Sequence, residues 1–193
     1  MTITTTPGAT GQPVTRAPGG PQSALDGLFR SAFRRHPAGV AVVTARGGDG
    51  RPYGFTATSV VSVSAAPPML AFTVGTDAST WPALATATHL GVHLLDEGQS
   101  ALAALFARSG ADRFGGTDWE PGPWGVPRLT GCPVRLVCRV AGRVPAGDHR
   151  IVVAELLTGD CPPGDRPPLL YHAGRFAGLR PLDPAAPRAG HGS

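Results

Sequence analysis

Hydroxyl-bearing residues recur along a strand-like segment at residues 53–59. The segment reads Tyr-Gly-Phe-Thr-Ala-Thr-Ser and places polar residues at alternate positions. A half-buried strand whose hydroxyls face solvent has this pattern, because successive side chains point to opposite faces of a sheet. The same hydroxyls and backbone N–H groups also suit the wall of a pocket for a polar, planar ligand. The segment by itself leaves both interpretations open.

A second polar pair, Ser79-Thr80, stands directly before Trp81-Pro82. Serine and threonine are preferred at helix N-caps, and proline is tolerated in the first helical turn. We therefore predict a short helix from Trp81 that this pair caps. The N–H groups at a helix start also attract anions, so the pair is a candidate phosphate site as well.

The third candidate, Asp148-His149, follows Gly147 in a predicted turn between two strands. Residues of these types are common in turns. The serines do not stand on the G-x-S-x-G turn of a hydrolase. His89 and His93 are four residues apart, but their segment reads as a strand, which separates their side chains too far for an easy metal site. The sequence therefore indicates neither a hydrolytic triad nor a bound metal.

Composition excludes several classes of protein. All 17 basic residues are arginines, so a Schiff-base lysine and the lysine of a P-loop are absent. The net charge is +4, but the arginines are scattered, and we expect no nucleic-acid partner. No apolar run is long enough to span a membrane. We expect Cys132, Cys138 and Cys161 to be free, small and buried in a reducing cytoplasm.

We predict one domain at residues 23–181, with flexible tails at 1–22 and 182–193 that have too few apolar side chains to fold. The domain should begin with a helix, because Ser23 to Asp26 resembles a capping box. The helix should stop before His36-Pro37, because the residue preceding a proline avoids helical geometry. Apolar residues recur in the helix at Leu25, Leu28, Phe29, Ala32 and Phe33.

The remainder is mostly strand-like. Strands are predicted at 40–45, 55–64, 69–74, 90–95, 134–144, 150–157 and 169–179. A turn at 46–51 should make a hairpin, and a helix at 97–108 should have one apolar side. That side carries Ala101, Leu102, Leu105 and Phe106.

Residues 110–129 are predicted to be a loop whose Trp119 and Trp124 pack on a second subunit. Short connections and few helices favour an antiparallel barrel or sandwich. No strand is followed by the glycine-rich turn of a dinucleotide-binding α/β fold.

A series of short motifs runs in order through about residues 29–179. It comprises Phe29-Arg30, His36-Pro37-Ala-Gly39-Val40, Gly54-Phe-Thr56, Ser59, Ser62-Val-Ser64, Pro67-Pro68, Ser79-Thr80, Gly91-Val92, Phe106, Arg113-Phe114, Gly125-x-Pro127, Leu129, Gly147-Asp148-His149 and Pro168-Leu169-Leu170-Tyr171. Together they resemble the flavin reductase domain family, the small reductase partners of two-component flavin-dependent monooxygenases. No single motif is decisive, but the ordered set is specific.

This resemblance implies an FMN-binding split β-barrel that forms a homodimer. It implies hydride transfer from NADH or NADPH to FMN or FAD, and a monooxygenase that receives the reduced flavin by contact or by diffusion alone. Carried over by position, the resemblance implies that the isoalloxazine and ribityl chain lie against Pro52, Tyr53, Gly54, Phe55, Thr56, Thr58 and Ser59.

It implies further that Thr73, Val74 and Gly75 lie along the flavin, that Ser79 and Thr80 hold the phosphate, and that Phe106 borders the same pocket. Gly147, Asp148 and His149 should face the nicotinamide. His149 is the candidate catalytic residue, orienting the nicotinamide carboxamide or the pyrophosphate.

Three positions depart from the family pattern. Ala66 stands where an acidic residue is usual, His93 where asparagine is usual, and Val60 where an aromatic residue is usual. These departures leave the expected fold intact and bear on flavin preference and pocket shape.

Three other functions stay open at this point. The first is a protein that holds FMN tightly as an electron carrier or sensor. The second is an oxidase of the pyridoxamine-phosphate type, which needs a basic phosphate site, although no arginines cluster near Ser79-Thr80 in the sequence. The third is a non-catalytic barrel that binds a partner through the loop containing Trp119 and Trp124.

Overall fold

The computed structural model describes residues 21–164 and 166–180. The chain divides into two compact units, residues 1–35 and 36–193. Apart from residues 21 and 22, the predicted tails lie outside the described residues. Within the described ranges, no helix has the length and apolar character needed to cross a membrane.

The first unit contains helix α1, Pro21–Arg34. It ends before His36-Pro37 as predicted, but it begins two residues before Ser23, which therefore lies inside the helix. Proline is compatible with a first helical turn, so the helix extends past the predicted cap. The apolar residues Leu25, Leu28 and Phe29 are exposed.

The described part of the second unit contains two helices and two short 3₁₀ turns. The helices are α2, Trp81–Thr86, and α3, Ser100–Ala107, and the 3₁₀ turns are Glu97–Gln99 and Pro123–Gly125. The strands are β1 Ala38–Gly39, β2 Ala41–Arg46, β3 Pro52–Ala57, β4 Val61–Ala65, β5 Pro68–Gly75, β6 His89–Leu94, β7 Trp119–Pro121, β8 Pro127–Leu129, β9 Val134–Ala146, β10 His149–Asp160, β11 Leu170–His172 and β12 Arg175–Ala177.

Seven of these strands form one antiparallel sheet in the order β3-β2-β6-β9-β10-β5-β4. The two edge strands, β3 and β4, are joined by residues 58–60 alone, and so short a connection requires the sheet to curl round toward itself. A hydrogen bond of 2.9 Å from Thr73 N–H to Ser59 Oγ links the β3–β4 connection to β5. Smaller sheets, β1-β11-β12 and β7-β8, flank this curled sheet.

The apolar core lies on both faces of β2, which explains the unbroken apolar run at residues 40–43. Val43 packs in one cluster with Phe72 and Leu90, and Val42 packs in a second with Phe106 and Leu129. A strand with apolar neighbours on both faces has no need for alternating polarity.

Three of the predicted elements are wrong in extent. The predicted strand at 55–64 is two strands, because the chain leaves β3 after Ala57 and re-enters the sheet as β4. The predicted strand at 169–179 is the β11–β12 hairpin, which turns at Ala173-Gly174 with positive φ at both residues. The predicted loop at 110–129 contains the β7–β8 pair.

Side-chain burial also differs from two predictions. Ala101 is exposed, and Ala103 takes the buried position on α3 beside Phe106. Cys161 is exposed, whereas Cys132 and Cys138 are buried. In the loop predicted to meet a second subunit, Trp119 packs within its own chain, edge-on to Phe114 at 5.5 Å between ring centroids.

The histidine that departs from the family pattern is a buried structural residue. His93 Nδ1 lies 3.2 Å from the Val42 carbonyl oxygen, and its Nε2 accepts a hydrogen bond of 3.1 Å from Leu129 N–H. The ring therefore bridges β2 and β8 as the neutral tautomer that carries its proton on Nδ1. Burial lowers the pKa of His93 from 6.5 to about 4.

This burial predicts a stability loss in acid. The folded-state pKa lies below the unfolded value, so only the unfolded chain takes up a proton as the pH falls from 6.5 toward 4. The free energy of unfolding should fall over this window by about 3 kcal/mol through His93. Urea denaturation at several pH values should show that His93→Asn loses less stability than the wild type. Parallel losses would mean that His93 does not carry the effect.

Candidate functional site

A cavity of about 330 Å³ opens beside β3, the hydroxyl-rich strand. It is lined by Arg51, Pro52, Tyr53, Gly54, Ser79 and residues 110–114. The structure thus brings four of the predicted site residues together with a loop that follows α3. The volume lies within the usual range for small-molecule sites.

Gly54 forms part of the cavity wall because a larger residue would not fit there. A Cβ atom at this position would lie 2.8 Å from the Phe106 ring and 3.0 Å from the Val43 carbonyl oxygen. Phe106 itself is completely buried and meets Phe114 edge-on at 5.2 Å between ring centroids. It therefore supports β3 and the 110–114 loop from beneath, rather than lining the cavity surface as a border.

The remaining β3 side chains serve different purposes on the two faces of the strand. Thr56 Oγ1 donates a hydrogen bond of 2.6 Å to the Ala103 carbonyl, which fastens β3 to α3. Phe55 points to the other face and packs on Phe72, with 6.1 Å between ring centroids. The Thr56 hydroxyl is therefore already engaged within the fold.

Tyr53 extends from the cavity to the preceding turn. Its hydroxyl donates a hydrogen bond of 2.9 Å to Asp49 Oδ2, which raises the pKa of Tyr53. The pKa of Asp49 is lowered, first by the Arg51 backbone N–H and then by this hydroxyl. The pair holds the turn against the start of β3.

The predicted residues 73–75 and 147–149 meet at a second location, where β5 pairs with β10. His149 is the register partner of Gly75, and its Nδ1 lies 2.8 Å from Asp148 Oδ1. This contact with His149 lowers the pKa of Asp148. Thr76 N–H donates to the Asp148 carbonyl at 3.0 Å, which ties the Gly147-Asp148 turn to the end of β5.

Other predicted residues at this second location differ in accessibility. Val74 is buried in the core, whereas Thr58 is exposed. The Ser59 hydroxyl is hydrogen-bonded to the Thr73 backbone. Gly147 has φ +61°, the left-handed conformation required at the first position of a tight two-residue hairpin.

The segment 75–80 connects the two locations, since it leaves β5 at Gly75 and enters α2 after Thr80. Ser79 is exposed at the cavity, but Thr80 is buried and makes no capping hydrogen bond through its side chain. The predicted side-chain cap is therefore wrong. Backbone bonds start the turn instead, with Trp81 N–H donating to the Ala78 carbonyl at 2.8 Å.

Sequence reasoning missed two arginines at this cavity and a third at the C-terminal end of α2. Arg51 and Arg113 line the cavity although 62 positions separate them in the sequence. Arg143 donates to the Leu84 and Ala87 carbonyls and so satisfies the C-terminal end of α2. A sequence motif, Arg113-Phe114, could have pointed to Arg113. No motif in the sequence pointed to Arg51 or Arg143.

A curled antiparallel sheet with a cavity at its hydroxyl-bearing edge defines a small ligand-binding β-barrel. A model of the flavin reductase like domain matches residues 33–180. The chain belongs to this family, as the ordered motifs predicted, and its mainly antiparallel β architecture agrees with the predicted split barrel.

Three related proteins are similar to this chain over most of its length. An NADH:FMN oxidoreductase from Rhodococcus qingshengii is 42% identical over 160 residues, covering 81% of this chain and 83% of that protein. The reductase component of a 4-nitrophenol 4-monooxygenase/4-nitrocatechol 2-monooxygenase from Rhodococcus opacus is 37% identical over 153 residues, covering 79% and 80%. An NADH:FAD oxidoreductase from Streptomyces globisporus, solved with NAD and FAD fragments, is 34% identical with a TM-score of 0.74, covering 87% of this chain and 98% of that one.

Proposed function

We propose that this protein is an NAD(P)H-dependent flavin reductase that transfers a hydride to FMN or FAD. The observation that carries the proposal is the β3 cavity, which combines backbone, a neutral serine hydroxyl and arginines at the strand where the resemblance implies that the flavin lies. These groups fit a polar planar ring system with an anionic tail. Relatives named for NADH and FMN, and for NADH and FAD, support the same reaction.

The cofactors supply the redox chemistry, since a reduced nicotinamide gives its hydride to the flavin ring without a protein nucleophile. The protein holds two planar rings in contact and excludes water between them. Orientation of this kind can lower the activation barrier by up to ~7–11 kcal/mol. Pro52, Tyr53 and Gly54 supply the wall for the flavin, and Gly54 keeps that wall close to Phe106.

His149 is proposed as the residue that orients the nicotinamide. Its ring is half-exposed and held in place by Asp148 on one side. The Gly75 backbone passes beneath it, with the site of a Gly75 Cβ only 3.8 Å from Nε2. An oriented imidazole with one accessible nitrogen suits a carboxamide or a pyrophosphate oxygen. Asp148 and Gly147 are proposed to set this orientation.

A homodimer is also proposed, supported by the apolar surface of the edge strand β4. Val61 and Val63 expose 56% and 55% of their surface. An exposed apolar edge strand is a liability in a single copy. A second copy of the chain would cover it.

The reduced flavin is proposed to serve a flavin-dependent monooxygenase in the cytoplasm. The Rhodococcus opacus relative is a reductase component of this kind. A reductase needs no protein contact with its partner if the flavin leaves after reduction. Neutral hydroxyls and backbone around the ring suit such release, because they bind it without a fixed counter-charge.

Oxidation of NADH and NADPH should depend on added flavin. Purified protein is mixed with each nicotinamide and with riboflavin, FMN or FAD, and nicotinamide absorbance is followed. Oxidation that requires flavin supports the proposal. Flavin that stays bound through gel filtration with negligible turnover on free flavin would instead indicate an electron carrier, and absence of flavin binding would contradict both.

His149→Ala should weaken the use of nicotinamide more than the binding of flavin. Loss of one hydrogen bond should raise the KM for NADH about three- to tenfold, while the Kd for oxidised flavin changes less than about twofold. His172→Ala, an exposed histidine on β11, is the matched control. Equal losses for both ligands would make His149 a structural residue only.

Val61→Asp should weaken self-association, because it places a charge in the proposed apolar interface. Gly48→Asp adds the same charge at an exposed turn position outside β4 and is the control. Sedimentation equilibrium should show a dimer for the wild type and the control, and a larger monomer fraction for Val61→Asp. A monomeric wild type would overturn the proposed dimer.

A further inference from the structure

We propose that a second cavity, on the face of the main sheet turned away from the core cluster of Val43, Phe72 and Leu90, binds a small monocarboxylate with an apolar body. The cavity has a volume of about 410 Å³ and lies where strands β6, β9 and β10 pass beneath the β7–β8 hairpin. It shares no lining residue with the β3 cavity. The inference therefore goes beyond the proposed function and is tested separately from it.

Two rows of register partners, with one residue on each of β6, β9 and β10, form the floor of this cavity. Register partners on neighbouring strands present their side chains to the same face of a sheet. The rows are Gly91, Val137 and Thr158, and His93, Arg135 and Asp160. All six residues line the cavity. The first row carries no charge, whereas the second contains an arginine and an aspartate, so the floor has a neutral half and a charged half.

A β-bulge at Leu157 brings Thr158 to this face. Cys138 and Val137 are adjacent on β9, but their register partners on β10 are Leu156 and Thr158. Without the bulge, Thr158 would lie on the same face as Leu156, which packs against the core. Bulges are common next to active sites, where they redirect a side chain. Thr158 is exposed, and within the described ranges its hydroxyl has no hydrogen-bond partner, so it is available to a ligand.

The β7–β8 hairpin is fixed above this floor by contacts on two sides. On one side the buried Thr44 hydroxyl donates a hydrogen bond of 2.6 Å to the Pro127 carbonyl. On the other side Arg128 donates to Asp160 Oδ1 at 2.9 Å. The space between hairpin and sheet is therefore preformed, and its volume lies within the usual range for small-molecule sites.

The charged half of the cavity has one positive charge in excess. Asp160 accepts hydrogen bonds from Arg128 at 2.9 Å and from Arg135 Nε at 2.8 Å. Burial raises the pKa of Asp160, but these two hydrogen bonds outweigh burial, so the pKa is lowered and the carboxylate is ionised. Glu120 also pairs with Arg128, but its side chain is 51% exposed, and solvent screens its charge. The less exposed members of the group are two arginines and one aspartate.

A single carboxylate matches this excess charge. Arg135 donates to Asp160 through Nε and one terminal nitrogen, and its other terminal nitrogen has no partner among the residues that the structure describes. Arg135 and Thr158 are diagonal neighbours on β9 and β10, so both can donate to one small group. Apolar side chains supply a surface for the body of the ligand, namely Pro121, Pro123, Val126, Pro127, Leu136 and Val137.

The test is a titration of the isotope-labelled full chain, without flavin or nicotinamide, followed by two-dimensional amide NMR. The probe is hexanoate, and the reference compounds are hexanamide and acetate. The variants are Arg135→Gln and Thr158→Val. Arg139→Gln is the matched control for the first, because it removes another β9 arginine that pairs with a carboxylate, Glu155, outside the cavity. Thr86→Val, at an exposed threonine of α2, is the matched control for the second.

Hexanoate should shift the amide signals of Gly122, Thr158 and Gly159 until they saturate, and should leave Gly54 of the β3 cavity unchanged. The Kd should rise about tenfold in Arg135→Gln and about threefold in Thr158→Val, while both controls bind as the wild type does. Hexanamide lacks the charge and acetate lacks the apolar body, so each should bind at least about tenfold more weakly than hexanoate.

Absence of saturable shifts with hexanoate would overturn the inference, and so would shifts centred on Gly54, which would place the acid in the β3 cavity. Equal affinities for hexanamide and hexanoate would refute the carboxylate site. If circular dichroism shows that Arg135→Gln is unfolded, the exposed Thr158 variant decides. Flavin reduction is measured on the same preparation. A protein that reduces flavin without binding hexanoate would refute this site alone, and the reverse result would refute the proposed function alone.

Discussion

The close approach of β3 to α3 is the contact on which the rest of the site depends. It exists because Gly54 has no side chain, so the Phe106 ring can lie directly against the strand. The Thr56 hydroxyl, bonded to the Ala103 carbonyl, holds the same two elements together. The loop after α3 then returns past β3 and encloses the cavity. A methyl group at position 54 would meet both a packed ring and a backbone carbonyl, neither of which yields easily.

Two sets of arginines in this lysine-free chain differ in chemistry. Five of the arginines that the structure describes are paired with carboxylates or carbonyls. These are Arg128 and Arg135 with Asp160, Arg139 with Glu155, Arg143 with the α2 carbonyls and Arg166 with Asp96. Arg113 and Arg51 differ, because neither is saturated by a close carboxylate. A guanidinium that the fold leaves unsatisfied beside a cavity is available for an anionic ligand.

Much of the architecture could be predicted from residue pattern. The long strands β9 and β10, the hairpin at 46–51 and the helix that includes Phe106 all follow from local periodicity and turn residues. The errors have local causes that periodicity cannot detect. The break after Ala57 and the hairpin within 169–179 depend on which partner strand is present, and hydrogen-bonded partners far along the chain are invisible to a local pattern.

The candidate site, like the fold, could be predicted from the sequence only in part. Family motifs led to Pro52, Tyr53, Gly54 and Ser79, and the structure places these four around one cavity. They also led to Thr80, whose burial leaves its side chain no role as a cap.

The linear order of residues was enough for the family, the β-rich class and the hydroxyl-bearing strand, because these depend on residue types and short spacings. Tertiary structure alone decided which hydroxyls the fold already uses, that His93 is a neutral bridge, and that Arg51 and Arg113 share a cavity. The reason is physical: burial, desolvation and the meeting of charges are set by neighbours in space, and strand pairing brings together residues that the sequence keeps far apart.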